Sequence, residues 1–283
     1  MIGAHGAQEE HIGARPRDWH ARLDASLGVR AGRTRITALS HEGPLRVQRV
    51  FHPEPDGTAH LYVLHPPAGV APGDRLRVSL RAEPGASVLV TTPGAGKLHR
   101  SDGREASVDI ALEVAAGATL EHVPQETIVF DGAIAALRTR IELAGESRYL
   151  GWDVLCLGRP ACGERLTRGR VSSALEVRVD GTLVFVERAR YEGGGALLEG
   201  AWGLGGRSSL GTLIATHAAL DAIREALTPS PDVLVAATQL GSLCVVRALG
   251  EDTGRVRAAL GRARHAVRRE WQRAPIDPAI WRT

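Results

Sequence analysis

Short apolar runs separated by turn residues recur along most of the chain, and this pattern constrains the fold more than any other feature. In Arg75–Arg81 apolar and polar residues alternate strictly, which is typical of a strand with one buried and one solvated face. Asp180-Gly181 separates two further alternating runs and predicts a tight hairpin turn. The pattern predicts strands over His60–Leu64, Arg75–Arg81, Ser87–Thr92, Ala106–Val114, Thr119–Val123, Thr127–Phe130, Ala136–Leu143, Tyr149–Leu157, Ala174–Val179, Thr182–Arg190, Val233–Ala236 and Leu243–Leu249, with two edge strands between Trp19 and Ala38.

The turn Glu83-Pro84-Gly85 predicts that Arg75–Arg81 and Ser87–Thr92 form a β-hairpin. Only two segments are predicted to be helical, Thr216–Leu227 and Thr253–Arg273. The second has one apolar stripe, and we expect its arginines to form either a solvated basic face or a docking surface for an acidic partner. Closely spaced strands with only two helices predict a mainly β architecture.

The chain has no linker-like break, so we expect a flexible N-terminal segment over residues 1–18 and a single domain over residues 19–283. Three cysteines without a CxxC pair, no signal peptide and no long apolar span predict a cytosolic protein that does not enter a membrane. Basic residues are interleaved with acids, and the net charge is only +3, so we do not expect nucleic acid as a partner.

Glycine-rich segments suggest cofactor loops, but their spacing excludes them. The segment GAGK lacks the first glycine of a phosphate-binding loop, and Leu98 stands where a hydroxyl residue should follow Lys97. In the segment from Gly193 to Gly211, Ser208 replaces the third glycine of a dinucleotide fingerprint. No hydrolase or zinc motif is present, and the histidines are scattered. We therefore predict no catalytic, cofactor-binding or firmly held metal site.

Charged residues at the edges of apolar strands remain as candidates for function. Asp153 lies within the apolar run GWDVLCLG, and Glu187 lies within LVFVERA. A carboxylate inside such a strand is costly unless it is ion-paired or faces a wet cavity. Both interpretations stay open: an internal ion pair, or an acid-lined passage or interface. The full set is Asp74, Lys97, Arg100, Glu126, Asp131, Asp153, Arg159, Glu164 and Glu187.

Eight segments, in the same order from Gly43 to the C-terminus, carry a family resemblance. They are GPLRVQRVFHPE, HPPAGVAPGD, TTPGAGKLHRS, VPQETIVFDGA, GWDVLCLGRPACGE, AWGLGGRSSLGT, ATQLGSLCVVRALG and the tail PAIWRT. As an ordered set they are specific, and the chain resembles the UreD family of urease accessory proteins, called UreH in some bacteria.

The resemblance implies a mainly β, helix-like stack of strands with two C-terminal helices and no catalytic activity. It implies binding to the urease apoprotein and to UreF, which recruits the GTPase UreG. It also implies that the protein helps to deliver nickel(II) to the urease active site, with the ion in transit through an internal tunnel. Carboxylates suit a transient nickel path because oxygen ligands and water release the ion, whereas thiolates retain it. The candidates for this path are Asp74, Asp153 and Glu187. The further candidates for tunnel or partner surfaces are Lys97, Arg100, Glu126, Asp131 and Arg159.

Two alternatives to the scaffold function are kept. The first is a β-rich hydrolase that uses Glu126 and Asp131 as paired carboxylates. The second, ranked last, is nucleic-acid binding through the arginine-rich C-terminal helix, which predicts strongly salt-dependent association with DNA.

Overall fold

The computed structural model of the protein describes residues 18–282, so the predicted N-terminal segment lies, except for Asp18, outside the described residues. Strands dominate this part of the chain. They are β1 (His20–Arg30), β2 (Arg33–Glu42), β3 (Arg46–Val47), β4 (Ala59–Leu64), β5 (Arg75–Ala82), β6 (Ser87–Thr91), β7 (Gly96–Leu98), β8 (Ala106–Val114), β9 (Thr119–His122), β10 (Thr127–Val129), β11 (Ile134–Leu143), β12 (Arg148–Arg159), β13 (Glu164–Arg165), β14 (Arg170–Val179), β15 (Thr182–Glu192), β16 (Ser209–Thr216), β17 (Val233–Leu240) and β18 (Leu243–Gly250).

Helices are few among the described residues. They are α1 (Ala196–Glu199), α2 (Leu220–Ala226) and α3 (Thr253–Glu270), with short 3-10 turns at Pro160–Cys162 and Ala279–Arg282. None of these helices is long and apolar enough to cross a membrane.

The strands form two sheets, and in the middle of the chain the path passes repeatedly from one sheet to the other. The first sheet has the order β15-β14-β11-β8-β5-β1-β2, and the second has β17-β18-β16-β12-β9-β6-β4-β3. Neighbours in the middle of each sheet run parallel, as β5 and β8 do in the first and β6 and β9 in the second. The chain therefore coils through both sheets, which confirms the prediction of a mainly β, helical-type stack of strands with two C-terminal helices.

The predicted hairpin between β5 and β6 is wrong. β5 pairs in parallel with β1 and β8, whereas β6 pairs in parallel with β4 and β9 in the other sheet. The turn at Glu83-Pro84-Gly85 thus carries the chain from one sheet to the other. Val88, Leu89 and Val90 are all buried, because the second sheet is covered on both faces. A turn sequence alone does not distinguish this crossing from a hairpin.

The hairpin at Asp180-Gly181 is confirmed. β14 and β15 pair antiparallel, and both turn residues have positive φ, 48° at Asp180 and 78° at Gly181. These angles are the ones that a two-residue hairpin turn of the favoured type requires.

The helix predicted from Thr216 begins only at Leu220, because Thr216 ends β16. We did not predict β16, since its glycine, Gly211, made the segment resemble a turn. That glycine is required by packing: a Cβ there would lie 2.7 Å from a methyl group of Leu260 on α3. The absence of a side chain lets α3 approach the second sheet closely.

The apolar core has two parts. One fills the space between the sheets, and the other lies between the second sheet and helices α2 and α3. The predicted apolar stripe of α3 faces this second part, and its members Val256, Leu260, Ala263 and Val267 have no exposed surface.

The predicted solvated basic face of α3 is wrong for Arg264 and Arg268, which are fully buried. Arg264 Nε lies 2.9 Å from a carboxylate oxygen of Glu121. Arg268 contacts the carboxylates of both Glu121 and Glu54. Burial raises the pKa of Glu54, but hydrogen bonds from His60 and Arg268 and the Arg268 charge outweigh it and leave that pKa lowered. Matched charges therefore allow two arginines to lie inside the protein.

Candidate functional site

A cavity of about 420 Å³ lies between the two sheets. At one end it is bounded by the loops at residues 65–69 and 92–97, and at the other it reaches Thr139, Asp153 and Ser173. Most of its wall is apolar, and the side chains of Val108, Ile110 and Leu137 are only partly buried there. A concave, largely apolar space with a few polar groups is the usual form of a binding site.

Asp153, on β12, lies where this cavity meets a smaller one. The smaller cavity, of about 10 Å³, shares Thr139 and Asp153 with the first and extends to Thr212. Thr139 Oγ1 donates a hydrogen bond of 3.2 Å to Asp153 Oδ2. Among residues 18–282 no basic side chain forms an ion pair with Asp153. Of the two interpretations left open by the sequence, the structure therefore favours a cavity-facing carboxylate at this position.

The environment of Asp153 disfavours its ionised form. Burial raises the pKa of this carboxyl group to about 6, and the negative charge of Glu187 adds to the rise, while the Thr139 hydrogen bond opposes it. Burial also raises the pKa of the neighbouring Tyr149 well above its usual value, and the Asp153 charge acts in the same direction. Near neutral pH Asp153 is ionised, so it presents one negative charge to the junction of the two cavities.

Glu187, on β15, is ion-paired, but the pair is not internal: the side chains of Arg247 and Glu187 are 52% and 31% exposed. Its Oε2 lies 2.6 Å and 2.8 Å from two nitrogens of Arg247, and Thr212 Oγ1 donates to its Oε1 at 3.0 Å. Thr212 also lines the smaller cavity, and the Glu187 charge acts on the Asp153 carboxyl group, so the two carboxylates lie near one another. The structure thus brings two of the three predicted path residues into one region.

Asp74 lies outside the lining of the cavity. Its two carboxylate oxygens accept hydrogen bonds from the backbone amides of Trp19, at 2.9 Å, and Ala71, at 2.8 Å. Asp74 therefore closes the turn of the segment HPPAGVAPGD and attaches the start of the described chain. Its charge acts on His65, which lines the cavity: burial lowers the pKa of His65, and the Asp74 charge opposes that effect.

Lys97 and Arg100 lie near the loop end of the cavity. Lys97 is part of the lining, and no carboxylate in the described part of the chain lies within ion-pair distance of its ammonium group. Arg100 is exposed, and its Nε donates a hydrogen bond of 3.3 Å to the backbone oxygen of Asp131. Only Lys97 of this pair is placed to meet a molecule that enters the cavity.

Glu126 and Asp131 have separate partners. Glu126 accepts a hydrogen bond of 2.6 Å from Arg257 of α3. Asp131 accepts from the backbone amides of Thr167 and Arg168, at 2.7 Å and 2.9 Å, and from their side chains. Burial would raise the pKa of Asp131, but these hydrogen bonds outweigh it and lower the pKa to about 2. Two carboxylates held in this way do not form the acid–base pair that the hydrolase alternative requires.

Arg159 is held by its neighbours at the end of β12. It forms a two-point ion pair with Glu164, with contacts of 3.0 Å and 2.5 Å, and its guanidinium lies 4.3 Å from the centre of the Phe130 ring. The hydrogen bond from Arg159 is the largest cause of the lowered pKa of Glu164. Arg159 thus stabilises the loop that follows β12 and is not placed in the cavity lining.

Sequence reasoning missed His122 on β9. It lines the cavity, is only 6% exposed, and burial lowers its pKa to about 4. The imidazole is therefore neutral near physiological pH. The alternation in TLEHV contains a signal, because it places Leu120 and His122 on one face and Glu121 on the other. No cluster of three or more His, Cys, Asp or Glu residues suited to a metal ion occurs within residues 18–282.

The fold and the cavity define a class: a stacked-strand protein with a largely apolar cavity between its sheets that holds a few polar groups. Its carboxylates Glu126 and Asp131 are occupied by an arginine or by backbone amides. Comparison with known proteins identifies the family. The sequence model described as "UreD urease accessory protein" matches residues 20–282.

Individual relatives agree. The urease accessory protein UreD of Klebsiella aerogenes is 40% identical over 278 residues, which cover 94% of this chain and 97% of the relative. That of Dechloromonas aromatica is 39% identical over 274 residues, covering 94% and 95%. That of Pseudomonas putida is 41% identical over 269 residues, covering 94% and 95%. The chain belongs to the UreD family of urease accessory proteins, and the resemblance seen in the eight segments is confirmed.

Proposed function

We propose that the protein is a non-catalytic scaffold of urease maturation. It binds the urease apoprotein and UreF, through which the GTPase UreG is recruited, and it assists the delivery of nickel(II) to the urease active site in the cytosol. Membership of the UreD family supports the link to urease. The occupied carboxylates Glu126 and Asp131 support a function without catalysis, because each is already hydrogen-bonded, the first to Arg257 and the second to the amides of Thr167 and Arg168.

The observation that carries the nickel part of this proposal is the position of Asp153. It provides a carboxylate at the point where two internal cavities meet. A single carboxylate with water holds a divalent ion weakly, and weak binding lets the ion move on. The apolar remainder of the wall offers few competing ligands. The route in this proposal runs from the loop end of the cavity, near Lys97, past Asp153 towards Glu187.

Co-purification tests the scaffold part. The tagged chain is co-expressed with the urease subunits, UreF and UreG of the same operon, and the captured complex is separated by gel filtration. The proposal predicts recovery of urease apoprotein and UreF with the chain, and recovery of UreG only when UreF is present. Recovery of neither urease nor UreF with a correctly folded chain would refute it. A control variant, Glu176→Gln, removes one partly exposed carboxylate that is paired with the exposed Arg188, and it should leave recovery unchanged.

A further inference from the structure

The main paths of the two sheets end in four edge strands, β2 and β15 in the first sheet and β3 and β17 in the second. A free edge presents unpaired backbone N–H and C=O groups, and proteins protect it with charged residues, bulges or shortness. β2 carries Arg33 and Arg35, β15 carries Arg188 and Arg190, and each of these strands has one register shift with its neighbour. β3 has only two residues. Three of the four edges are therefore protected.

β17 has none of these protections. Its eight residues, VLVAATQL, include no charged residue and no proline, and its register with β18 is regular. Apart from its bonds to β18, the backbone of β17 has two contacts within residues 18–282. Val233 forms a bridge with Ser230, and Arg224 Nη2 donates a hydrogen bond of 3.2 Å to the oxygen of Ala237. Most of this edge is thus free to pair with another strand.

The exposed side chains of β17 have a symmetric order. Alternate residues of a strand share a face, and the exposed ones on this face are Leu234, Ala236, Thr238 and Leu240. The two leucines are 54% and 43% exposed. Read from either end, the face presents a leucine, two small residues and a leucine, and the centre is Ala237.

Such an order is what a two-fold symmetric contact requires, because residue i of one copy meets residue j of the other and j meets i. Antiparallel pairing of two β17 strands about Ala237 places Leu234 opposite Leu240 of the second copy. It also places Ala236 opposite Thr238 of the second copy. A strand of an unrelated protein would need no symmetry in β17, so the symmetric order favours a second copy of this chain as the occupant.

The charges around β17 are compatible with this pairing. Asp232, just before the strand, would lie towards the uncharged Ser242 of the second copy, and it forms an ion pair with Arg255. Arg224 of each copy comes near the two-fold axis because it contacts Ala237. The exposed Glu225 beside it on α2 supplies the opposite charge.

We propose that the free edge of β17 is a dimerisation site, at which two copies of this chain pair their β17 strands antiparallel about Ala237. The second sheets of the two copies then form one continuous sheet. The pairing gives partners to free backbone groups and covers the exposed leucines. This inference goes beyond the proposed function and needs only the isolated chain.

Sedimentation equilibrium of the purified full-length chain tests the dimer. The wild type should reach, with rising concentration, a mass of twice the 30.1 kDa of one chain. Thr238→Lys puts a charge opposite Ala236 at two symmetric positions and should raise the dissociation constant at least about tenfold, the equivalent of about 1.4 kcal/mol. Thr238→Val keeps the position uncharged and should dimerise like the wild type. Leu39→Lys is the matched control, because Leu39 is 45% exposed on the protected edge strand β2, and it should leave the dissociation constant unchanged.

Cysteine variants test the register, in a Cys162→Ser background that removes the exposed native thiol. Directly opposite residues of an antiparallel pair have Cβ atoms about 4.5–5.5 Å apart, and diagonal ones about 7–8 Å. A disulfide requires about 3.5–4.5 Å, so it can form only between opposite residues. After mild oxidation, a mixture of the Ala236→Cys and Thr238→Cys variants should therefore give a linked dimer on a non-reducing gel, and neither variant should do so by itself.

Three results would overturn the inference. They are a wild-type chain that stays monomeric at every concentration reached, a dimer that Thr238→Lys does not weaken, and an Ala236→Cys variant that links to itself as readily as to Thr238→Cys. If the chain is monomeric and Thr238→Lys, but not Leu39→Lys, abolishes co-purification of urease or UreF, the edge receives a strand of another protein. The dimer is then refuted while the scaffold function stands.

Discussion

Replacing Asp153 by asparagine should stabilise the folded protein at neutral pH. The pKa of this carboxyl group rises from 3.8 to about 6 on folding, so the folded state disfavours its ionised form. A shift of about two units corresponds to about 3 kcal/mol of unfolding free energy. Asparagine keeps the shape and the oxygen that accepts from Thr139 but carries no charge. We therefore expect Asp153→Asn to gain up to about 3 kcal/mol near pH 7.5.

The sign of the pH dependence follows from the raised pKa. The wild type is not penalised below the unfolded pKa of 3.8, and it loses stability as the pH rises through the folded value of about 6. The advantage of Asp153→Asn should therefore shrink to about half at pH 5 and nearly vanish near pH 4. Urea denaturation of both proteins at these pH values measures it. A variant that is less stable at pH 7.5, or whose gain does not change with pH, would refute the reasoning.

Three further changes test other parts of the structure. Arg268→Met leaves the carboxylates of Glu54 and Glu121 buried without this partner, and it should lower the free energy of unfolding, measured by urea denaturation, by about 3–5 kcal/mol. A loss below about 1 kcal/mol would contradict the buried ion pairs. Asp131→Asn should lower the melting temperature at pH 7. The difference from the wild type should disappear as the pH falls from 4 towards 2, because the lowered pKa of Asp131 stabilises the wild type only above that range. A difference in melting temperature that stays constant with pH would contradict this account of Asp131. Gly181→Ala forces a side chain into a left-handed turn and should cost about 1–2 kcal/mol by the same assay, and an unchanged stability would argue against this hairpin.

The local alternation of residues was sufficient to predict most strands, but not the sheet to which each belongs. β5 and β6 show why: a short glycine turn joins them whether they pair with each other or with strands one coil away. The strand β16 was missed for a related reason, because Gly211 serves helix packing from α3, which lies far along the chain.

The residues of the candidate site also fall into those that the local sequence predicts and those that depend on distant contacts. Asp153 and Glu187 were predicted because a carboxylate inside an apolar strand is conspicuous in the sequence itself. His122 was missed because its significance depends on the register of β9 with β12. The burial of Arg264 could not be predicted because its partner, Glu121, is 143 residues away in the sequence. An amphipathic pattern gives the direction of a helix face but does not identify a distant carboxylate that compensates a buried charge.

The most direct test of the account is the nickel content of urease matured with a variant in which the cavity junction is blocked. Urease is co-expressed with its accessory proteins and with either the wild-type chain, Asp153→Leu or the control Glu176→Gln, and nickel per urease active site is measured by mass spectrometry of the purified enzyme. We predict a strong reduction with Asp153→Leu alone, while urease and UreF still co-purify with that variant. Normal nickel content with the folded Asp153→Leu variant in the complex would contradict the account.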